Sequence, residues 1–524
     1  MNRWFIGWIW VLIAALLALP PAPAPAQEGT AGQPAAATAS ARAETQPNAA
    51  VTEHAIEVDG VRLVYTATVA ALPVADGNGT TKAYIYYTSY VAKDDSAGRP
   101  LTFVFNGGPG ASSAYLHLGA LGPRRVALND DGTAPVPPAT TTANPSTWLS
   151  FTDLVFVDPV GTGFSRPVQV DGKTVPNDAF WGVDEDVEWS ARFIRRYLSD
   201  TKRWNAPKFL VGESYGGFRV AKLADTLPTR YGIGLNGIVM ISPALEFGLF
   251  RGDDRFTLWP AVLRLPSLAA VAWRHGRAGT GERSDEARDR FLTEVEAFSL
   301  KEMLPALAQG GMLPADAREA VYGRIAAYTG LALDTVARAD GRVSRETFIK
   351  ELLAGDRRVI GRYDGSVSIP DPNPAEPRFR DTDPTLGGLT APFLTAMNAY
   401  LRNELGFVAD APYVLLNSST SANWNWGSAQ RGGTNVGSGD DLRSAMASNR
   451  ALRVLIAHGR FDLVTPYFAS IHVVNQIKLD PARRKDLTVR LYDGGHMMYL
   501  HKAERTRLFE DARAFFAASV PRMD

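Results

Sequence analysis

The chain has 524 residues, with 55 Lys or Arg against 55 Asp or Glu, so its formal net charge is zero. That balance speaks against nucleic acid or an anionic membrane surface as a partner. There is no cysteine, which excludes disulfides, thiolate metal sites, iron–sulfur clusters and thiol catalysis.

Residues 1–26 read as an export signal. Arg3 supplies the positive start, residues 4–19 are apolar, and Ala24-Pro25-Ala26 is an A-x-A cleavage sequence. The apolar run is shorter than the ~20 residues that cross a bilayer. The signal is therefore expected to be cleaved near Gln27, leaving no stable membrane span and a periplasmic or secreted protein. Residues 27–52, rich in Ala, Pro and Thr, read as a disordered linker.

Residues 54–94 alternate polar and apolar side chains around Asp76-Gly77-Asn78-Gly79, a hairpin signal. Strands are expected at 101–105, 153–157, 207–211 and 237–241. The clearest helix is at 184–198, with Val187, Ala191, Phe193, Ile194 and Leu198 inward. Strand–helix alternation predicts an α/β fold with a mostly parallel central sheet. From 245 to 388 the pattern is helical (285–300, 315–328, 344–353) with Pro-rich loops and no clear strand, and reads as an inserted cap. The core, opened by residues 53–244, resumes over 389–524 and ends in a helix at 503–517. The small-residue run 432–439 lacks the Gly-Lys-Ser/Thr ending of a phosphate loop and a following helix, so a plain loop is expected.

Three strand ends carry chemistry. Val211-Gly212-Glu213-Ser214-Tyr215-Gly216-Gly217 reads G-x-S-x-G between an apolar run and a helical pattern, the context of a nucleophile elbow. Val454-Leu455-Ile456-Ala457-His458-Gly459-Arg460-Phe461-Asp462 is a strand ending in an acid. Val489-Arg490-Leu491-Tyr492-Asp493-Gly494-Gly495-His496 is a strand ending in a histidine. The order Ser, Asp, His, each just past a strand, is that of the α/β-hydrolase fold. Ser214 needs a base within hydrogen-bond reach. Of the seven histidines, His496 has the right place. His117 precedes the nucleophile, His275 lies in the cap, His472 has a packing position, His501 follows the motif, His54 precedes the core, and His458 is the weaker rival. Asp462 would orient the imidazole, with Asp493 as runner-up. The N–H of Tyr215 is one oxyanion donor. No cofactor is called for, and no metal, since nothing like H-E-x-x-H occurs.

Further segments complete a resemblance. Asn106-Gly107-Gly108-Pro109-Gly110, Pro159-Val160-Gly161-Thr162-Gly163-Phe164-Ser165, the Ser214 motif, Gly459-Arg460-Phe461-Asp462 and Gly495-His496-Met497 together resemble the serine carboxypeptidase family, from about residue 65 to 516. The run Gly495-His496-Met497-Met498-Tyr499 is similar to the bacterial, exported branch. The resemblance implies an α/β-hydrolase fold with a helical cap and a serine-type carboxypeptidase acting on peptides through an acyl-enzyme. It assigns the second oxyanion donor to Gly108 and the substrate carboxylate to Asn106, Gly107 and Glu213. Ala120 stands where the family has a second Glu, so Glu213 lacks the like-charge neighbour that would raise its pKa. Val104 replaces a Trp and implies an altered leaving-residue pocket. An esterase or acyltransferase on the same triad is the alternative. A non-catalytic binding protein of this shape is disfavoured by the intact Ser214, Asp462 and His496. Oligomeric state is not readable.

Overall fold

The computed structural model describes residues 48–93, 98–252, 256–279, 281–427 and 436–520. The expected signal and most of the expected linker lie outside them.

Nine strands form the frame: β1 (Ala50–Val58), β2 (Val61–Ala75), β3 (Thr81–Ala92), β4 (Leu101–Phe105), β5 (Asp153–Val157), β6 (Lys208–Glu213), β7 (Gly237–Ile241), β8 (Arg453–Gly459) and β9 (Leu487–Tyr492). They run in the spatial order β1-β2-β3-β5-β4-β6-β7-β8-β9, and the two-residue strand Arg166–Pro167 also pairs with β3. The first three are antiparallel, and the six from β5 to β9 are parallel. The linker was expected to reach residue 52, but β1 begins at Ala50, which pairs with Val69. Composition hides this because an edge strand takes its hydrogen bonds from a neighbour.

Parallel strands covered on both faces need apolar side chains at every position. β4, β5 and β7 are buried throughout. Alternation then sends neighbours to opposite layers. Leu101, Phe103, Leu210, Ile238 and Met240 join one core with helices α1 (Val183–Asp200) and α2 (Tyr215–Tyr231). Val104, Phe209, Val211, Val239 and Ile241 join the other. Val104 is therefore a core residue and does not line the substrate cavity described below.

The insertion has its own core, around α3 (Trp259–Arg274), α4 (Asp285–Phe298), α5 (Ala315–Thr329) and α6 (Arg345–Glu351). Two expectations for it need correction. It contains a short antiparallel pair, Arg358–Ile360 with Ser368–Pro370. Its expected end at 388 falls inside α7 (Pro384–Ala399), whose Leu389, Phe393, Ala396 and Met397 pack into the second sheet core. A helix also follows the small-residue run after all, α8 (Gly439–Ser448), held by Leu442, Ala445 and Met446 in the first core. The last helix is α9 (Lys502–Ser519). No helix among the described residues is long and apolar enough to cross a membrane.

Candidate active site

The candidate residues all follow the carboxyl ends of parallel strands, where open α/β sheets place their sites. β4 ends at Phe105, opposite Gly212 of β6, and β6 ends at Glu213 beside Ile241 of β7. Ser214 comes next, before the first turn of α2. Its φ is +59° and its ψ −121°, a strained conformation for a residue with a Cβ. The chain can fold back this sharply because Gly212 and Gly216 touch. A Cβ on Gly212 would lie 2.0 Å from the Gly216 carbonyl oxygen. The turn is pinned by Ser214 N–H donating to Ile241 O (2.9 Å) and by Ser214 O accepting from Ala244 N–H (3.1 Å).

Asp462 and His496 arrive from β8 and β9. His496 Nδ1 donates to Asp462 Oδ2 at 2.7 Å. Asp462 is fully buried, and its other contacts fix it. Oδ1 accepts from the N–H groups of Val464 (2.7 Å) and Thr465 (3.0 Å), and Oδ2 from the Thr465 hydroxyl (2.7 Å). The His496 N–H is anchored on Tyr363 O (2.5 Å), a residue of the insertion. Burial pulls the imidazolium down, but the charge and hydrogen bond of Asp462, with Glu213 adding, leave His496 above its ordinary pKa. Nδ1 being engaged, Nε2 is the nitrogen left for Ser214, and both residues line one cavity of about 600 Å³.

The rival residues are engaged elsewhere. Asp493 pairs with Arg288 and with Arg460 (2.9 Å). Buried His458 contacts Ser470 Oγ at 3.0 Å, and desolvation pushes it down to about 4. His117, equally buried, contacts the Tyr90 hydroxyl and is pushed down to about 3. His275 contacts Gly365 O, His472 packs on Trp259, and His501 is bound to Asp364.

Gly107 lies against the elbow so closely that a Cβ there would stand 2.7 Å from Tyr215 N. Gly107, Gly108 and Tyr215 line the cavity beside Ser214. Tyr215 opens α2, and the first N–H groups of a helix have no intrahelical acceptor. The arrangement offers backbone donors at the N-terminus of a helix, next to a hydroxyl, with an imidazole backed by a carboxylate. Such an arrangement can carry out acyl transfer.

Asn106 and Glu213 form the adjoining wall. Asn106 Nδ2 donates to Glu213 Oε1 (3.1 Å), and Asn106 Oδ1 accepts from Leu116 N–H (3.0 Å). Glu213 has a further partner that the sequence reading passed over. The Tyr499 hydroxyl donates to Glu213 Oε2 at 2.5 Å, with its ring against Gly119, one residue from Ala120. Ala120 leaves Glu213 without a like-charge neighbour at that position, as expected, yet its carboxyl is raised all the same. Burial drives its carboxyl up to about 7, with the Asp462 charge adding, against His496, Tyr499 and Asn106, which favour the charged form.

Behind this wall sits a buried pair that was also missed. Arg219 Nε donates to Asp186 Oδ2 (2.7 Å) and Arg219 Nη1 to Asn106 O (2.8 Å), and the two side chains are 1% and 4% exposed. The Pro159–Ser165 motif has a structural part: Ser165 Oγ donates to Asp158 O and accepts from Tyr86 N–H, while Asp158 Oδ1 accepts from Ser113 N–H and Oγ. Among the described residues no cluster of His, Asp and Glu fit to hold a metal occurs.

Comparison with known proteins gives the same direction. Residues 75–245 match the family model for serine carboxypeptidase. Serine carboxypeptidase-like 44 of Arabidopsis thaliana is 27% identical over 205 residues, 37% of this chain and 36% of that protein. Pheromone-processing carboxypeptidase KEX1 of Saccharomyces cerevisiae is 30% identical over 161 residues, 29% of this chain and 20% of that protein. The match thus spans about a third or less of these relatives' length. The crystal structure of KEX1(delta)p, a prohormone-processing carboxypeptidase from the same yeast, superposes with a TM-score of 0.51 over 86% of this chain and 91% of that chain at 15% identity, a likeness of fold.

Proposed function

We propose that this chain, whose residues 75–245 match the serine carboxypeptidase family, is a serine-type carboxypeptidase that releases C-terminal amino acids from peptides. Ser214 is the nucleophile, His496 its base and Asp462 the group that orients the imidazole. The N–H groups of Gly108 and Tyr215 receive the oxyanion. Asn106, Gly107 and Glu213 hold the terminal carboxylate. His496 then protonates the departing amine, and water, activated by the same imidazole, releases the acyl group.

The observation that carries this reading is the pairing of Asn106 with a buried Glu213 held at about 7, one residue before the nucleophile. A neutral carboxyl donates a hydrogen bond to a carboxylate that an ionised one would repel. An esterase needs no such group. Tyr499 donates to Glu213 and favours its charged form, and burial outweighs that pull. Export is favoured by the leader sequence ending in Ala24-Pro25-Ala26, and a bacterial branch by the Gly495–Tyr499 run.

The test is hydrolysis of an N-blocked dipeptide beside its C-terminal methyl ester and amide, by the wild type and Ser214→Ala. Cleavage of the free acid, lost in the variant, is the expected result. Cleavage of the ester alone would hand the site to the esterase or acyltransferase reading.

A further inference from the structure

The insertion supplies Arg345, Arg362 and Tyr363 to the cavity wall. The segment 362–365 also bonds to both loops that carry the acid and the base of the triad. Arg362 O accepts from Leu463 N–H (3.0 Å), and Gly365 N–H donates to Phe461 O (2.9 Å), so the residues on either side of Asp462 are held. Tyr363 O accepts from His496 N–H (2.5 Å), and Asp364 Oδ2 accepts from Gly495 N–H (3.0 Å). The Tyr363 ring meets the His496 imidazole edge-on, with centroids 5.4 Å apart.

Of these bonds to the two loops, the one from Asp364 is made by a side chain. Asp364 is buried, and each of its oxygens is engaged. Oδ1 accepts from the N–H (2.9 Å) and the Oγ (2.6 Å) of Ser366. Oδ2 accepts from His501 Nε2 (2.9 Å) as well as from Gly495 N–H. Burial pushes its carboxyl up, but His501 and Ser366 outweigh burial and hold it below the ordinary carboxyl value, so both oxygens act as acceptors. The fit on the other side is close. Gly495 does not have the positive φ that would by itself call for glycine. A Cβ there would overlap Tyr363 O and the Cα of Asp364. The glycine ahead of His496 is thus required by the approach of the insertion.

Strands β8 and β9 pair in parallel and fix the roots of the two loops. The 2.7 Å contact between His496 Nδ1 and Asp462 Oδ2 is made beyond those roots. Side chains that must be placed to fractions of an ångström need a second set of groups to hold them. Loops bonded to one shared segment keep their spacing. We propose that Asp364 is a positioning residue: through Gly495 it fastens the His496 loop to the segment that also holds the Asp462 loop, and the insertion thereby completes the triad. It acts through the backbone of Gly495 and not on the reacting atoms. The proposal rests on the triad of the reading above, and not on which acyl compound the triad cleaves.

The experiment measures Asp364→Ala on the N-blocked dipeptide and on its methyl ester. On whichever substrate the wild type cleaves, kcat should fall by roughly 100-fold with KM within about threefold of wild type, as a small misplacement of the triad requires. Asp364→Asn keeps the shape and one acceptor oxygen, and should recover part of the loss. Amide hydrogen exchange separates positioning from general weakening. In Asp364→Ala, protection should drop at Gly495 and His496 while that of β8 is kept. A kcat within about threefold of wild type, or a loss of protection spread equally over β8, overturns the proposal. Exchange in the wild type needs no variant to fold. The amides of Leu463, Gly495 and His496 should exchange as slowly as those of β8, and exchange at the rate of an open loop overturns the proposal. Wild-type cleavage of the ester alone would end the carboxypeptidase reading and leave this one to be read on the ester. A wild type that cleaves neither substrate removes the triad and this proposal with it.

Discussion

The two sides of the cavity are built of different material. On the sheet side, Asp462 has no exposed surface, His496 has 2% and Glu213 4%. Glu213 closes β6, the Asp462 N–H is bonded to Gly459 O at the end of β8, and the His496 N–H is held by Tyr363 O. On the insertion side, the Arg345 and Arg362 side chains are 28% and 46% exposed, and their helices pack around a separate core. Buried, fully bonded groups cannot move without a large loss, which suits chemistry that must be placed to fractions of an ångström. Half-exposed cations on an inserted layer can be exchanged at little cost to stability, which suits recognition. The layers are nevertheless joined at the site, since Phe461 and Leu463, flanking Asp462, belong to the core of the insertion.

The largest effects should come from the sheet side. Ser214→Ala should lower kcat by roughly 10⁶-fold, and Asp462→Asn by about 10⁴-fold through the wrong imidazole tautomer, both read on a neutral peptide. An Asp462→Asn variant within tenfold of wild type would break the contrast. Next come two losses of stability, measured by denaturant unfolding. Asp186→Ala strands the buried Arg219 and should cost about 3–5 kcal/mol. Phe348→Ala, in the insertion core, should cost about 3–5 kcal/mol by leaving a cavity. Because Phe461 and Leu463 bridge the layers, both variants should unfold in one transition. A separate early transition in Phe348→Ala would show the insertion to be an independent unit.

The smallest effect sharpens the role of Glu213. If its neutral form donates to the substrate carboxylate as proposed, free-acid kcat/KM should fall by roughly tenfold per pH unit as pH rises past about 7. The methyl ester should lack that limb, and so should the Glu213→Gln variant. The folded protein holds this proton more tightly than the unfolded chain does. Its contribution to stability is full below the ordinary carboxyl range and is lost as pH rises through about 7. The Tm of wild type should accordingly drop across that window more than that of Glu213→Gln.

Ser214, Asp462 and His496 were legible because each follows an apolar run closed by a glycine turn, and strand ends meet in this sheet. The side that Val104 takes was not readable, because a strand has two faces and the sequence does not say which one turns to the core. Tyr499 looked like the tail of a histidine motif. Only the packing of its ring on Gly119 brings its hydroxyl to Glu213. Arg219 and Asp186 sit on two helices that pack side by side in one core of the sheet, and which of their sides face each other is not written in either helix alone. The helix Gly439–Ser448 was masked by the glycines ahead of it.

The backbone at Ser214 has a consequence for anyone ranking variants by heat. A side chain held at φ +59° carries strain on the order of 1–3 kcal/mol. Replacing that serine with glycine removes the strain together with the hydroxyl. A melting-temperature screen would reward the substitution that ends turnover, so at this position durability and usefulness point in opposite directions.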